Sequence, residues 1–404
     1  MASQSVVNIL VLTTTLSVCI DYGVTEDGPT VQTQFGAVRG KYVEEGVIFL
    51  GLPFAVPSVG ELRWKPPAVY NTSWAPAVRD GTLPGPTCRQ PKCGPTYNDV
   101  QHICNRDANR TQSEDCLYLN IFAPESALNS TVTPLPVLFW IHGRNYRIGT
   151  GAALVYDGRF LANKTQTVVV TINYRLGAFG FLETGEGEDD AKGNFGLLDQ
   201  LEALAWVQEN IGSFGGDKNK VTIFGQSAGS DSVATHMISN KTVGLFKQAI
   251  MMSIPFSIPH KSRQEALRLE SFMQWGPSID YDVVPAPTHL WDEWKFCNGH
   301  VCHGEDIPFV FQTPLLANLT FNTDEQHMAD TIAYHYGNFA HTGDPNKPAH
   351  NINSTNNGKP KVVNWPNSTN GHFYGLNITT PESNLLDNYR HERCDVLDSL
   401  NVYH

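Results

Sequence analysis

Five short apolar runs recur in the first two thirds of the chain, and glycine, proline or polar residues separate them. Runs of this length with little polar alternation are typical of strands that are buried on both faces of a sheet. They predict strands at 117–122, 137–142, 167–173, 221–224 and 247–252. Helix-compatible segments lie between several of these runs. Strand–helix alternation predicts an α/β fold with a mainly parallel central sheet.

Two further segments repeat their apolar residues at helical spacing. In 196–211 the apolar residues fall near one face of a helix, and Gly212 ends the run. They are Leu198, Leu201, Leu204, Ala205 and Ile211. Residues 327–340 predict a later helix on the same grounds. From Gln34 onward, short β-prone runs alternate with Gly and Pro turns, which predicts a small N-terminal β-meander.

Composition narrows the classes of partner. The chain has 404 residues, of which 41% are hydrophobic, so it has enough apolar side chains for a large core. The net charge of −12 argues against nucleic acid and anionic membranes as partners. There is no run of 18 apolar residues, so we predict no membrane span. There is neither a metal-ligand cluster nor a Gly-rich phosphate loop, so we predict no cofactor.

The N-terminus and the glycosylation motifs indicate secretion. Residues 6–20 are largely apolar and resemble a signal-peptide core without its charged flank, so we predict a signal peptide over 1–20. The alternative is a buried N-terminal strand. Nine Asn-x-Ser/Thr motifs occur, whereas chance gives roughly three. They begin at Asn71, Asn109, Asn129, Asn163, Asn240, Asn318, Asn353, Asn367 and Asn377. The excess predicts an extracellular glycoprotein.

The cysteine count fits the same compartment. One of the eight cysteines, Cys19, lies in the predicted signal peptide. The remaining seven are an odd number, which leaves one unpaired or paired with another chain. They are Cys88, Cys93, Cys104, Cys116, Cys297, Cys302 and Cys394. No Cys-x-x-Cys pattern is present, so disulfides are favoured over metal binding.

A Gly-x-Ser-x-Gly motif follows the predicted strand at 221–224 and precedes a helix-compatible segment. That order is the context of a nucleophile elbow, in which a serine stands on a sharp strand-to-helix turn. Ser227 would be the exposed nucleophile, and the Ala228 amide would face a developing oxyanion. The motif alone is also compatible with an ordinary Gly/Ser turn after a buried strand. The surrounding sequence decides between the two.

Several longer segments carry a family resemblance. They read FLGLPFAVPSVGELRWKPP, SEDCLYLNIFAP, NYRLGAFGFL, GNFGLLDQLEALAWVQENIGSFGGD, IFGQSAGS, CNGHVCHGEDIPFVF and NFAHTGDPN. With these motifs in this order, residues 35–272 and about 285–400 resemble the type-B carboxylesterases, the cholinesterase-like family of α/β-hydrolases. The resemblance implies one α/β-hydrolase domain over 24–404 and a small-molecule ester as substrate.

The resemblance also implies roles for individual residues. Ser227 matches the family's nucleophile, and His303 in Cys302-His303-Gly304-Glu305 matches its general base. A serine hydroxyl is a weak nucleophile until a base removes its proton, so the two must meet in space. The implied disulfides are Cys88–Cys116, Cys93–Cys104 and Cys297–Cys302, and the implied ion pairs are Arg63–Glu114 and Arg175–Asp199.

One departure from the family lies in the oxyanion loop, residues 142–146. The family reads His-Gly-Gly-Gly before an aromatic residue, whereas this chain reads His142-Gly143-Arg144-Asn145-Tyr146. Backbone N–H groups are the donors, so the amides of Arg144 and Asn145 remain candidates beside Ala228. If the loop needs positive φ, Arg144 is strained, whereas Asn145 tolerates that region better.

A second departure is the length between the serine and the histidine. His303 follows Ser227 by only 76 positions. The family's spacing is longer, and we predict that roughly 150 residues are absent around a junction at 273–283. That interval would hold the acid of the triad and the last strands of the sheet. A shortened isoform and an incomplete gene model are both consistent with this.

Loss of the triad acid costs serine hydrolases about 10⁴-fold in rate, so we expect a weak esterase. The alternative is a catalytically inactive adhesion or binding protein on the same fold. Tyr97 is the only aromatic residue between Cys88 and Cys116, so the tryptophan that would stack on choline is absent. Cholinesterase specificity is therefore not expected.

Overall fold

The computed structural model describes ten stretches of the chain. They are residues 28–91, 111–129, 131–253, 261–267, 278–279, 306–313, 320–349, 364–365, 374–377 and 384–387. The predicted signal peptide, His303 and most of the junction at 273–283 lie outside these residues.

Twelve strands lie in the N-terminal part, and they include all five predicted apolar strands. They are β1 (Thr30–Thr33), β2 (Gly36–Arg39), β3 (Lys41–Val43), β4 (Gly46–Pro53), β5 (Arg79–Asp80), β6 (Thr87–Cys88), β7 (Gln112–Ser113), β8 (Tyr118–Ala123), β9 (Leu135–Ile141), β10 (Val168–Ile172), β11 (Gly216–Gln226) and β12 (Gln248–Met252). Seven of them form one central sheet in the order β12-β11-β9-β10-β8-β4-β3. The predicted N-terminal meander corresponds to β1–β4, of which β3 and β4 extend this sheet and β1 and β2 form a smaller one with β5.

The helices lie mainly between the parallel strands. They are α1 (Arg159–Thr165), α2 (Gly177–Phe181), α3 (Phe195–Asn210), α4 (Ala228–Ile238), α5 (Arg263–Leu267), α6 (Ile307–Phe311) and α7 (Thr323–Thr342). Short 3-10 turns occupy Gly60–Leu62, Glu125–Leu128, Leu154–Tyr156, Ile211–Phe214 and Asn240–Thr242. Four short strands pair outside the central sheet, namely β13 (Lys261–Ser262) with β14 (Ser278–Ile279) and β15 (Tyr374–Asn377) with β16 (Asn384–Asp387). Within the described residues, no helix has the length and apolarity that a membrane crossing needs.

The direction of the strands follows from their connections. Strands β9, β10, β11 and β12 pair in parallel, and α1, α3 and α4 lie in the connections between them. Parallel neighbours need a long crossover, which a helix supplies. Only a 3-10 turn lies between β8 and β9, and β8, β4 and β3 pair antiparallel. The sheet is thus parallel in the half that leads to Ser227 and antiparallel in the other half.

Both faces of the sheet are covered, as the apolar strands predicted. Side chains alternate between the two faces of a strand, so Phe139 and Ile141 of β9 join one buried cluster, and Trp140 joins the other. The first cluster includes residues of α3 and α4, and the second includes residues of α1, α6 and α7. Among the described strands, β12 and β3 lie at the two edges of the sheet, and Met251 of β12 is 40% exposed.

The predicted buried face of α3 was partly wrong. Leu204 is buried as expected, but Leu198 and Leu201 are only half-buried. The most buried side chains of this helix include Leu197, Asp199 and Val207 instead. Asp199 is buried because it accepts hydrogen bonds from Arg175, at 2.8 Å from Nε and 2.6 Å from the terminal nitrogen. Because Asp199 is paired inside the protein, the buried face of α3 differs from the face that the spacing of apolar residues predicts.

The predicted disulfide and ion pairs whose residues are described are all present. Cys88 and Cys116 form a disulfide. The Arg63 guanidinium pairs with the Glu114 carboxylate at 2.8 Å, in addition to the buried pair on α3. The other cysteines predicted to pair, Cys93, Cys104, Cys297 and Cys302, lie outside the described residues.

Candidate active site

Ser227 stands on the turn between β11 and α4, where a nucleophile elbow was predicted. Its backbone has φ 57° and ψ −125°, a strained conformation for a residue with a side chain. Its N–H donates to the Met252 carbonyl on β12 at 3.1 Å, and its carbonyl accepts from the Asp231 N–H at 2.9 Å. Both bonds hold the turn against the sheet edge and the first turn of α4. The predicted exposure of Ser227 was wrong: the residue is only 2% exposed, because the turn is packed between β12 and the oxyanion loop.

Two glycines allow this turn to lie against β9. A Cβ at Gly225 would stand 2.4 Å from the carbonyl oxygen of Gly229. A Cβ at Gly229 would stand 2.0 Å from the carbonyl oxygen of Ile141. Both distances are shorter than any real Cβ contact, so the motif needs glycine here to bring helix and strand together.

The oxyanion loop lies directly beside the elbow. A Cβ added at Gly143 would stand 3.0 Å from the Ser227 Cβ and 2.3 Å from the Gln226 carbonyl oxygen. The next three residues, Arg144, Asn145 and Tyr146, have φ values of 73°, 56° and 56°. The sequence predicted strain at Arg144 if this loop needs positive φ. The loop has positive φ at Arg144, and the same strained conformation continues to Tyr146.

The loop is tied to α4 through a contact that the sequence did not reveal. The Tyr146 hydroxyl donates to the Asp231 carboxylate at 2.8 Å, and Ser232 Oγ lies 3.2 Å from the same hydroxyl. Tyr146 is 3% exposed. Burial, and then the charge of Asp231, raise its pKa well above the ordinary value. These residues lie 85 and 86 positions apart in the chain, and no motif or spacing links them.

Two histidines are buried close to these elements. Burial, together with a smaller effect of the nearby Arg144 charge, lowers the pKa of His142 to about 3. The His142 ring stacks on Tyr174 with 4.4 Å between ring centroids. Burial lowers the pKa of His236 on α4 to about 4. The Nε2 of His236 is 2.8 Å from the Gln200 side-chain oxygen. Both imidazoles are therefore neutral at pH 7.

Of the predicted site residues, Ser227 and Ala228 lie at the elbow, and Arg144 and Asn145 follow Gly143, which lies against Ser227. The fifth, His303, lies outside the described residues. In the stretches that the structure covers, no three His, Cys, Asp or Glu side chains converge as a metal site would require. The described part of the site therefore offers a strained serine beside a loop of backbone amides, which is an arrangement suited to acyl transfer.

Comparison with known proteins places this geometry in a family. A family model described as the carboxylesterase family matches residues 27–284 and 285–397. The chain belongs to the carboxylesterase family. The two matched segments adjoin at residues 284 and 285, just beyond the predicted junction at 273–283.

Several members of the carboxylesterase family align with part of this chain. Liver carboxylesterase 1F of Rattus norvegicus is 44% identical over 245 residues, which are 59% of this chain and 42% of the relative. Para-nitrobenzyl esterase of Bacillus subtilis is 44% identical over 55% of this chain and 43% of the relative. Cholinesterase of Mus musculus is 39% identical over 67% of this chain and 45% of the relative. The chain thus spans less than half the length of these relatives.

Solved structures confirm the α/β-hydrolase fold. A PNB esterase structure superposes with a TM-score of 0.72 at 25% identity, covering 91% of this chain and 99% of that one. A thermophilic PNB esterase superposes with a TM-score of 0.74 at 24% identity, with the same coverage.

Proposed function

We propose that the protein is a carboxylic ester hydrolase that forms an acyl-enzyme on Ser227. The observation that carries this proposal is the strained backbone of Ser227, at φ 57°, in a chain of the carboxylesterase family. An elbow of this kind presents the serine oxygen to an ester carbonyl at the carboxyl end of the sheet. Attack forms the acyl-enzyme and releases the alcohol, and water then releases the acid. The substrate is a small-molecule ester.

The oxyanion donors would come from two elements. The Ala228 N–H at the start of α4 supplies one, and the Arg144 and Asn145 N–H groups supply the others. Positive φ at both loop residues supports this assignment, since it is the backbone conformation that the loop's usual glycines permit. A single donor of this kind accounts for roughly 10²–10³ in rate.

We assign the general base to His303 on its motif. The buried histidines near the elbow are unsuited to that role. A base works best with a pKa near the working pH, whereas the pKa of His142 is about 3 and that of His236 is about 4. We leave the triad acid unassigned, and its loss would lower the rate about 10⁴-fold. We therefore expect slow turnover.

Labelling with a fluorophosphonate tests this proposal, because the reagent reacts with an activated serine even when turnover is slow. We expect purified protein to be labelled at Ser227, with no labelling in Ser227→Ala and slower labelling in His303→Gln. Ser230→Ala is the matched control, since Ser230 is a buried serine three positions after Ser227, in the first turn of α4. It should label as the wild type does.

The contrary result favours a different class of function. Well-folded protein that takes up no fluorophosphonate would indicate an inactive adhesion or binding protein on the hydrolase fold. The observation that favours an inactive binding protein is that Arg144 and Asn145 stand where two loop glycines are expected, which strains the loop. Retention of both Ser227 and His303 favours the enzyme, because a binding role requires neither.

We also infer that the chain is a secreted glycoprotein. Asn71 and Asn129 are exposed, so a glycan on either amide would extend into solvent. Asn163 is half-buried, and its amide donates to the Glu45 carboxylate. Deglycosylation by peptide N-glycosidase in ¹⁸O-water, followed by mass spectrometry, should convert Asn71 and Asn129 to labelled Asp and leave Asn163 unchanged. Unmodified Asn71 and Asn129 in secreted protein would contradict this.

We further infer that a segment of the family scaffold is absent at the junction. Support comes from the family model, which matches the chain in two separate segments that adjoin at residues 284 and 285. Sequencing the transcript and its locus across codons 265–290 is the test. An exon boundary or a sequence gap there is the expected result, and an uninterrupted exon would refute the inference.

A further inference from the structure

We propose that Tyr146 is a positioning residue, whose hydroxyl, bound to Asp231 and Ser232, holds the oxyanion-loop amides toward Ser227. The inference rests on the proposed function, because it concerns the rate at which Ser227 is acylated. It assigns a role to residues outside the serine, histidine and amide donors named above.

The first step of the argument is that Tyr146 joins the two elements from which the donors come. Its backbone directly follows Arg144 and Asn145. Its hydroxyl donates to the Asp231 carboxylate at 2.8 Å. Asp231 lies in the first turn of α4, and its N–H donates to the Ser227 carbonyl at 2.9 Å. A single side chain thus connects the loop to the helix that begins at Ala228.

The second step concerns the surroundings of the hydroxyl. Ser232 Oγ lies 3.2 Å from the Tyr146 hydroxyl and 3.0 Å from the Ala228 carbonyl oxygen. The Gln200 side-chain nitrogen donates to the same Ser232 oxygen at 3.1 Å. The hydroxyl is therefore part of a buried polar network on α3 and α4. Networks of this kind fix their members in one arrangement.

The third step is that the loop needs such an anchor. Three consecutive residues with side chains hold positive φ, which is a conformation that persists only where the surroundings enforce it. The Tyr146 carbonyl accepts from the Gly177 N–H at 2.7 Å, and the Tyr146 ring lies 5.0 Å from that of Phe181. These contacts hold the backbone and the ring, whereas the hydroxyl is the contact that sets the loop's distance from α4.

The consequence is kinetic. If the hydroxyl is removed, the ring keeps its packing, but the amides before it are free to turn away from the oxyanion position. A displaced donor stabilises the transition state less and leaves binding of the uncharged substrate nearly unchanged. Tyr146→Phe should therefore lower the maximal acylation rate and leave the half-saturating concentration of reagent or ester within about twofold.

The experiment measures fluorophosphonate labelling rates against reagent concentration for four proteins: wild type, Tyr146→Phe, Asp231→Asn and Tyr156→Phe. We expect Tyr146→Phe to lower the maximal rate about 10- to 100-fold. Asp231→Asn keeps an acceptor oxygen for the hydroxyl, so it should lower the rate less. Tyr156 is the matched control, because it is a buried tyrosine in the core cluster on the opposite face of the sheet. Its change to Phe should leave the rate unchanged.

Further variants separate positioning from general stability. The double variant Tyr146→Phe/Asp231→Ala should label no more slowly than the slower of its single variants, since both remove the same contact. If the wild type is labelled and Tyr146→Phe is labelled equally fast, the positioning role is refuted. Additive losses in the double variant would overturn it as well. Unlabelled wild type would instead overturn the proposed function. If Tyr146→Phe does not fold, the comparison of Asp231→Asn with Asp231→Ala decides, and equal rates in these two refute the proposal.

Discussion

Arg144 has a φ of 73° in the loop where the family resemblance led us to expect glycine. The left-handed region costs a residue with a side chain roughly 1–2 kcal/mol. The sequence identified the position, because a broken His-Gly-Gly-Gly pattern shows where glycines have been lost. It could not reveal that Tyr146 shares the same conformation, because an aromatic residue belongs there in the family as well.

Replacing Arg144 by glycine should remove that strain. Glycine loses more backbone entropy on folding, which costs about 0.5–1 kcal/mol, so Arg144→Gly should leave the free energy of unfolding unchanged or raise it by up to about 1.5 kcal/mol. Arg147→Gly is the control, since Arg147 is exposed and is not among the positive-φ residues. It should lower the same quantity by about 0.5–1 kcal/mol. Urea denaturation measures both, and equal losses in the two variants would refute the strain at Arg144.

Glycine at the elbow gives a second test at this scale. A Cβ at Gly229 would stand 2.0 Å from the Ile141 carbonyl oxygen, whereas a Cβ at Gly212 would meet nothing within 4 Å. We expect Gly229→Ala to destabilise the protein by about 1–3 kcal/mol through overpacking and to abolish labelling of Ser227. Gly212→Ala should change stability by less than about 1 kcal/mol. The prediction fails if both variants unfold at the wild-type midpoint of urea.

Among the elements, α3 shows where reasoning from apolar spacing succeeds and where it does not. The spacing located the helix within one residue at each end, since the structure has Phe195–Asn210. It did not locate the buried face, because Asp199 is inside and paired with Arg175. Apolar periodicity treats every carboxylate as exposed. Only the family resemblance indicated this pair.

The same pair provides a prediction at the scale of elements. The Arg175 and Asp199 side chains are 4% and 0% exposed. Removing one partner leaves a buried charge uncompensated, so Asp199→Ala should lower the free energy of unfolding by about 3–5 kcal/mol. Lys220→Ala breaks a partly exposed pair with Asp217 at 3.8 Å, in which the side chains are 39% and 21% exposed, and should cost less than about 1 kcal/mol. Chemical denaturation at pH 7 measures both, and similar losses in the two variants would contradict this account.

For the whole molecule, two buried histidines make stability depend on pH. The pKa is about 3 for His142 and about 4 for His236, against about 6.5 in an unfolded chain. The unfolded chain therefore binds these protons first as the pH falls below 6.5, and the folded state loses stability from that pH down to about 4 for His236 and about 3 for His142.

We expect each histidine to contribute about 1.4 kcal/mol per pH unit within that window. His236→Gln retains a donor for the Gln200 oxygen that lies 2.8 Å from His236 Nε2. It should therefore fold and show a slope smaller by about that amount. Urea denaturation at several pH values between 4.5 and 6 measures the difference. Parallel stability curves for wild type and variant would be inconsistent with a depressed pKa at His236.

The fold itself was largely readable from the chain. Five apolar runs gave five strands of the sheet, because a strand that is buried on both faces has no polar alternation to confuse the pattern. Strand direction was less accessible, since it depends on whether an α-helix lies in the connection, and the described residues between β8 and β9 contain only a short 3-10 turn. At the site, Ser227 and its neighbours followed from local motifs. The Tyr146–Asp231 contact joins residues 85 positions apart and required the structure.

The hydrogen bond from the Ser227 N–H to the Met252 carbonyl has a consequence for handling the protein. Met252 ends β12, one of the two outer strands of the central sheet among the described residues. Outer strands with solvent-accessible backbone open at lower free energy than the centre of a sheet. Reactivity of the serine should therefore disappear at lower urea concentration than the circular dichroism of the helices. An activity assay would then report whether β12 is still folded at the edge of the sheet. A preparation that is fully folded by circular dichroism would already be inactive under these conditions.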